Sequence, residues 1–264
     1  MSILRGKRVA VTRSDEQADA LCSKLEALGA VPVRCPTIRI GPPSSYEAVD
    51  AALRAVDTYD WVVLTSANGV RAVLARLEEI GVPTARLGGT KVAAVGRVTA
   101  GVLADHGIAV AFIPEVEGSR SLAETLPDVT ERGILVAQGE KADPILAKVL
   151  RGRGARRVDT LTVYRTIPIP PSGAALEELR RGVDAITFTS PSTVAGFMGL
   201  GQEWREIAHG VIVASIGPTT TAAGRASGFE VHAEARERTI GALIDALVSA
   251  FAPSAPGAGK GAGQ

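Results

Sequence analysis

The sequence predicts an α/β protein of two similar lobes, each a parallel sheet flanked by helices, joined by two crossover segments with a cleft between. Three observations predict this fold class: short apolar runs alternate with helical patterns, one long unit occurs twice, and proline-rich stretches interrupt the pattern in two places. The 264 residues suffice for two domains with separate cores.

Six apolar runs rich in β-branched residues predict buried strands, and the segments between them have helical spacing. In residues 15–28, Leu21 and Leu25 lie on one helical face, and Gly29 is placed to end the helix. Strands that alternate with helices favour parallel sheets. The predicted strands are residues 9–12, 61–65, 92–95, 134–137, 185–189 and 211–216.

The repeated unit is far longer than a solenoid repeat. Shifts of 125, 124 and 121 residues place 21–30 on 146–155, 60–66 on 184–190, and 92–96 on 213–217. Each copy has enough strands for its own sheet, so the repeat alone predicts two consecutive domains.

Proline marks the crossovers. Prolines within residues 36–45 and 166–173 exclude regular helix or central strand, so we place the two crossovers there. Residues 251–264 are rich in Gly, Ala and Pro, and we expect this tail to be disordered.

Composition excludes several classes of protein. Lys+Arg 29 against Asp+Glu 28 gives a formal net charge of +1, which offers no bulk attraction to nucleic acid or to an anionic membrane. Cys22 and Cys35 lack metal-ligand spacing, so we expect neither a metal site nor a disulfide framework. We expect no signal peptide, because the first residues lack its apolar stretch and cleavage site, and no apolar run reaches about 18 residues. We therefore expect a cytoplasmic protein.

Two matched turns are the first binding candidates, because each lies where a parallel strand ends and a helix begins. Free N–H groups, hydroxyls and the helix dipole at such a turn bind carboxylates or phosphates. The alternative is that Ser66, Asn68 and Ser192 only cap helices. The candidates are Thr65, Ser66 and Asn68 in one turn and Thr189, Ser190 and Ser192 in the other.

Two glycine turns offer further donors: residues 96–99, with Gly96 and Thr99, and residues 217–220. A tight turn with Pro218 at the first helical position explains the second equally well. Neither turn has the spacing of a dinucleotide fingerprint, so the sequence disfavours NAD.

Strong acid–base groups are few. A phenol at Tyr164 would be able to donate a proton to a leaving hydroxyl, although a packing tyrosine at a strand end is the simpler interpretation. The three histidines are scattered, and no Ser-His-Asp, HExxH or paired-carboxylate pattern is present.

Six motifs occur in a fixed order along the chain: residues 11–13, 65–70, 94–96 with 99–100, 163–165, 188–192 and 216–220. Together they resemble the uroporphyrinogen-III synthases, over about residues 9–247. The resemblance implies that the first strand–helix–strand joins the C-terminal half of the chain. The lobes would then be residues 1–36 with 168–250, and residues 37–167.

The resemblance also implies the substrate, the linear tetrapyrrole hydroxymethylbilane with its eight carboxylates, and it implies no cofactor. In this chemistry the terminal hydroxyl leaves, the far pyrrole attacks through its substituted carbon, and a spiro intermediate reopens and closes with ring D inverted. Such an enzyme chiefly folds its substrate. We also expect a monomer that makes transient contact with hydroxymethylbilane synthase.

The resemblance implies catalytic roles for Tyr164 and Thr220. One departure concerns the loop after the strand at residues 134–137, where many relatives carry arginines and this chain has Gln138, Gly139 and Lys141. A carboxylate contact there is weaker or relocated. The implied substrate-binding residues are Arg13, Thr65, Ser66, Asn68, Gly96, Thr99, Gln138, Gly139, Thr189, Ser190, Ser192, Gly217 and Thr219.

Two other classes of function remain open from the sequence. A bilobed binding protein would close on an anionic small molecule without chemistry. A regulatory module derived from the same fold would bind a tetrapyrrole without turnover.

Overall fold

The computed structural model describes residues 2–252 and divides the chain into two compact units. Unit 1 comprises Met1–Arg39 and Ile167–Gln264, and unit 2 comprises Ile40–Thr166. The chain changes unit three residues after the first expected boundary and one residue before the second. The expected disordered tail lies, from residue 253 onward, outside the described residues. Phe251, which we assigned to that tail, is instead the last residue of a helix.

The strands are β1 (Arg8–Val11), β2 (Val31–Arg34), β3 (Ile38–Gly41), β4 (Trp61–Leu64), β5 (Lys91–Ala94), β6 (Gly133–Gly139), β7 (Arg157–Pro168), β8 (Ala185–Phe188), β9 (Ile212–Ser215) and β10 (Ala233–Glu234). The helices are α1 (Asp15–Ala27), α2 (Glu47–Arg54), α3 (Ala67–Glu79), α4 (Arg97–Asp105), α5 (Ser119–Thr125), α6 (Ile145–Gly152), α7 (Gly173–Arg180), α8 (Pro191–Met198), α9 (Gln202–His209), α10 (Pro218–Ala226) and α11 (Ile240–Phe251). Each of the six predicted strands is present, with ends that differ by at most two residues.

The sheet of unit 1 has the order β10-β9-β8-β1-β2, and its neighbouring strands are parallel. One face packs on α1 and α11 through residues such as Leu21 and Leu243. The other face carries the packed rings of Phe188, Phe197 and Phe229. Because β1 pairs with β8, the N-terminal strand belongs with the C-terminal half of the chain.

The sheet of unit 2 has the order β3-β7-β6-β4-β5. β4, β5, β6 and β7 run parallel, and their side chains alternate between two cores because successive residues of a strand face opposite sides. Val62 and Leu64 pack into one core, and Trp61 and Val63 pack into the other. Both faces of this sheet are therefore buried, as the continuous apolar runs predict.

The repeat found in the sequence corresponds to matching positions in the two sheets. Residues before β4 and β8 show this in detail. Asp60 accepts the N–H of Gly133 at 2.8 Å and pairs with Arg132. Asp184 accepts the N–H of Arg8 at 2.8 Å and pairs with Lys7. Each aspartate thus joins its own strand to the start of the neighbouring strand.

Both predicted crossovers contain strand. The prolines of the first were expected to exclude only a central strand, and its strand lies at the edge of the sheet, whereas a central strand reaches into the second crossover and corrects our reading of its prolines. β3 lies within residues 36–45, and β7 continues to Pro168. β3 is an edge strand that ends directly before Pro42. Pro168 is the last residue of β7, beyond the part of that strand that pairs with β6. Proline is compatible with strand at such ends because few ladder hydrogen bonds are lost there.

Candidate active site

The candidate residues follow the carboxyl ends of the strands in each sheet. In parallel sheets these ends share one edge, where ligands of open α/β sheets bind. β4 leads to Ser66 and β6 ends at Gly139 in unit 2, whereas β8 leads to Ser190 and β9 to Gly217 in unit 1. Each unit therefore has its own group of candidate residues.

Tyr164 lies beside Ser66 at this edge of unit 2. The phenol oxygen is 3.1 Å from Ser66 Oγ, and Ser66 Oγ also accepts the N–H of Gly69 at 3.0 Å. A hydroxyl has one donor and two acceptor sites, so Ser66 remains able to give its proton to the phenol or to accept the phenol proton. Ser66 at the start of α3 and Tyr164 on β7 thus form a pair of hydroxyl groups.

A β-bulge sets the position of Tyr164. Gln138 lies opposite Thr162, but Gly139 lies opposite Tyr164, so Val163 is the additional residue. A Cβ atom on Gly139 would lie 2.7 Å from Cζ of Tyr164. The absence of a side chain at Gly139 therefore makes room for the phenol ring.

Other candidates of unit 2 flank this pair. Thr65 Oγ1 donates to the carbonyl of Ala137 at 3.2 Å, which ties the end of β4 to β6. Asn68 lies in the first turn of α3, and Gln138 is the residue before Gly139 at the end of β6. All three candidate side chains are half-buried.

The turn between β5 and α4 already holds a carboxylate of the chain. Glu117 Oε1 accepts the N–H of Arg97 at 2.8 Å. A Cβ atom on Gly96 would lie 2.5 Å from Glu117 Oε2, so the carboxylate lies directly against the Gly96 backbone. Thr99, in the first turn of α4, is buried. This turn binds a carboxylate group, but the group present belongs to Glu117.

In unit 1 the turn before α8 is a capping box. Ser190 Oγ accepts the N–H of Thr193 at 3.2 Å, and Thr193 Oγ1 accepts the N–H groups of Ser190 at 3.2 Å and Thr189 at 3.3 Å. The N–H groups of Thr189, Ser190 and Thr193, which we expected to be free for a ligand, therefore have partners within the turn. Ser192 lies in the first turn of α8 and is half-buried.

The turn before α10 is adjacent, because β9 pairs with β8. Gly217 precedes Pro218, which begins the helix. Thr219 is exposed and its Oγ1 accepts a hydrogen bond from Nη2 of Arg238 at 3.2 Å. Thr220 is buried.

Arg13 follows β1, the other neighbour of β8. Its Nη2 donates to Oε1 of Gln17 in α1 at 3.2 Å, and the side chain is half-buried. Unit 1 therefore places Arg13, Ser190 and Gly217 after three adjacent strands.

No group of three or more His, Cys, Asp or Glu side chains within residues 2–252 has the geometry of a metal site. Burial raises the pKa of Cys22, and it raises the pKa of Cys35 to about 12. Both thiols therefore stay protonated and are poor metal ligands at neutral pH. No helix in this part of the chain has the length and apolar character needed to cross a membrane.

Three further residues that contact these turns were not predicted from the sequence: Thr193, Glu117 and Arg238. Thr193 has a local signal, since a hydroxyl three residues after Ser190 has the spacing of a capping box. Glu117 and Arg238 have none, because each lies about twenty residues along the chain from the turn that it contacts.

Comparison with known proteins decides the family. The family model described as uroporphyrinogen-III synthase HemD matches residues 19–245. A uroporphyrinogen-III synthase of Synechococcus elongatus is 34% identical over 257 residues, covering 92% of this chain and 95% of the relative. This chain belongs to the uroporphyrinogen-III synthase family. The match confirms the resemblance predicted from the sequence motifs. Uroporphyrinogen-III synthases are lyases, as we expected for this chain.

Solved structures of the uroporphyrinogen-III synthase family support the fold. A mutant uroporphyrinogen III synthase from Thermus thermophilus has a TM-score of 0.62 at 22% identity, covering 93% of this chain and 99% of that chain. The enzyme from Helicobacter pylori has a TM-score of 0.63 at 17% identity, covering 92% and 99%. The α/β fold with two parallel sheets is therefore shared with uroporphyrinogen-III synthases.

Proposed function

We propose that this chain converts hydroxymethylbilane to uroporphyrinogen III with inversion of ring D and release of water. The observation that carries the proposal is the family match along nearly the whole chain, together with 34% identity to a uroporphyrinogen-III synthase. The reaction serves tetrapyrrole and haem biosynthesis. Hydroxymethylbilane synthase would supply the substrate, and we propose that it meets a monomer of this chain in the cytoplasm.

The substrate carries carboxylates around a linear chain of pyrroles, and the residues at the two sheet edges are suited to bind them. Arg13 offers a guanidinium, and the first turns of α3, α4, α8 and α10 offer hydroxyls and positive helix ends. We propose that these contacts fold the substrate so that the substituted carbon of the last pyrrole reaches the reactive carbon first.

The hydroxyl pair of Ser66 and Tyr164 supports the first chemical step. Loss of the terminal hydroxyl as water requires one proton on the departing oxygen. Tyr164 would donate that proton, and the Ser66 hydroxyl, 3.1 Å away, would stabilise the phenolate that remains. The nitrogen lone pair of the pyrrole drives the departure, so a weak acid suffices.

Thr220 is the second proposed catalytic residue. Its position in the first turn of α10, beside Gly217 and Thr219, supports a role for its hydroxyl next to a bound carboxylate of the substrate. Thr220 is buried. We propose that it maintains the shape of the turn and that its hydroxyl makes a short contact with bound substrate.

The test is to incubate the protein with hydroxymethylbilane generated in place, without metal or nucleotide, then to oxidise the products and separate the porphyrin isomers by chromatography. We expect isomer III in large excess over isomer I, which forms spontaneously. Isomer I alone from folded protein would overturn the proposal and favour a binding protein.

A further inference from the structure

We propose that Arg238 is a further substrate-binding residue, which binds a carboxylate of the tetrapyrrole at the first turn of α10. The inference rests on the proposed function, because it concerns the same substrate. None of the motifs behind the family resemblance includes this arginine, which lies in the segment between β10 and α11.

The geometry places the guanidinium over the turn. Nη2 of Arg238 donates to Oγ1 of Thr219 at 3.2 Å. Its Cγ lies 3.4 Å from the position that a Cβ of Gly217 would occupy, so the aliphatic part of the side chain runs along the Gly217 backbone. All of these contacts lie within unit 1.

Within the described part of the chain, the charge of Arg238 has no carboxylate partner. Among residues 2–252, no Asp or Glu oxygen lies within ion-pair distance of this guanidinium, although Glu237 is its neighbour in sequence. By contrast, Arg180 pairs with Glu203 and Arg181 pairs with Glu178. Arg238 instead bonds to a neutral hydroxyl at the positive end of a helix.

The guanidinium of Arg238 and the positive N-terminal end of α10 repel each other, and a bound carboxylate would relieve that repulsion. A guanidinium has five donors, and its planar fork matches the two oxygens of a carboxylate. One donor of Arg238 is used on Thr219. The remaining donors and the start of α10 are therefore suited to share one carboxylate group.

The test compares Arg238→Gln with the wild-type protein in steady-state kinetics on hydroxymethylbilane. We expect KM to rise about tenfold, equivalent to about 1.4 kcal/mol, while kcat changes less than twofold. Arg238→Lys should recover part of the loss, since it keeps the charge but not the fork. The difference between the variants and the wild type should shrink at high ionic strength.

Arg225→Gln is the matched control. Arg225 lies at the opposite end of α10, is exposed, and gives the same change in net charge. Its KM should match that of the wild type. Equal KM values for Arg238→Gln and Arg225→Gln would overturn the inference. A rise in the KM of Arg238→Gln that is accompanied by a lowered melting temperature of that variant would overturn it as well. Wild-type protein that forms no isomer III would instead refute the proposed function itself.

Discussion

At the scale of single residues, Tyr164 combines a packed aromatic ring with a hydroxyl that hydrogen-bonds to Ser66. The ring packs against the core of unit 2, and the hydroxyl lies 3.1 Å from Ser66. Tyr164→Phe keeps the ring and removes the proton donor. We expect kcat to fall about 100-fold, the low end of general acid catalysis, with KM and melting temperature nearly unchanged. Single-turnover kinetics equal to those of the wild type would remove the tyrosine from the mechanism.

A substitution at Gly139 also tests the role of Tyr164, because Gly139 lies against the phenol ring. A methyl group there would approach Cζ of Tyr164 to 2.7 Å, so Gly139→Ala must displace the ring from Ser66. We expect a loss of kcat at least as large as in Tyr164→Phe, and a destabilisation of about 1–3 kcal/mol, measured by urea unfolding.

The double variant Gly139→Ala with Tyr164→Phe serves as the control. If alanine acts on catalysis through the phenol, its effect on kcat should largely disappear when the phenol hydroxyl is already absent. Independent, multiplying losses in the two variants would show that Gly139 acts by another route.

At the scale of elements, the turn at the start of α4 is suited to bind an anion, and a carboxylate of the protein, that of Glu117, already occupies it. Glu117 accepts the N–H of Arg97 at 2.8 Å. If Gly96 and Thr99 help to bind substrate, as we propose, the substrate must displace Glu117 first. Glu117→Ala should therefore lower KM about threefold, while loss of the cap costs about 1 kcal/mol of stability.

Glu115→Ala is the control for Glu117→Ala, because it removes an exposed carboxylate from the same loop. It should change neither KM nor melting temperature. A Glu117→Ala variant with lowered melting temperature and unchanged KM would show that Glu117 is a helix cap and that this turn does not bind substrate.

The elements also show what a sequence reveals and what it hides. Buried parallel strands are predictable because their apolar runs are continuous, as in β4 and β8. The bulge beside Gly139 leaves no such pattern, since it depends on the pairing of two strands rather than on either strand alone. The capping interpretation named Ser192 in this turn, whereas the residue that caps α8 is Ser190, and the bonds of Thr193 show how the turn uses its donors.

At the scale of the whole molecule, the repeat predicts two similar sheets but does not reveal which strands pair. β1 pairs with β8, about 175 residues away along the chain, while its counterpart β6 pairs with β4. A sequence shift relates equivalent elements and carries no information about partners. The discontinuous arrangement followed only from the resemblance to a family of known fold.

Asp60 and Asp184 occupy equivalent positions in the two sheets, and each stabilises the pairing of its strand with a neighbouring strand. The N–H of Gly133 and the guanidinium of Arg132 lower the pKa of Asp60 despite partial burial. Burial opposes the charged form of Asp184, but Lys7 and the N–H of Arg8 outweigh it and lower its pKa as well. A depressed carboxyl pKa stabilises the folded state above the ordinary value of 3.8, and this contribution is lost as the pH falls through the folded value.

Asp60→Asn and Asp184→Asn should therefore each destabilise the protein by about 1–2 kcal/mol at pH 6, and by progressively less below about pH 4. The measurement is urea unfolding of each variant and the wild type between pH 6 and pH 3. Asp105→Asn, which changes an exposed residue of α4, should follow the wild-type curve at every pH. Because the two aspartates tie different sheets, their effects should add in the double variant. A constant difference between variant and wild type across this pH range would show that the two carboxylates do not stabilise the sheets through their charge.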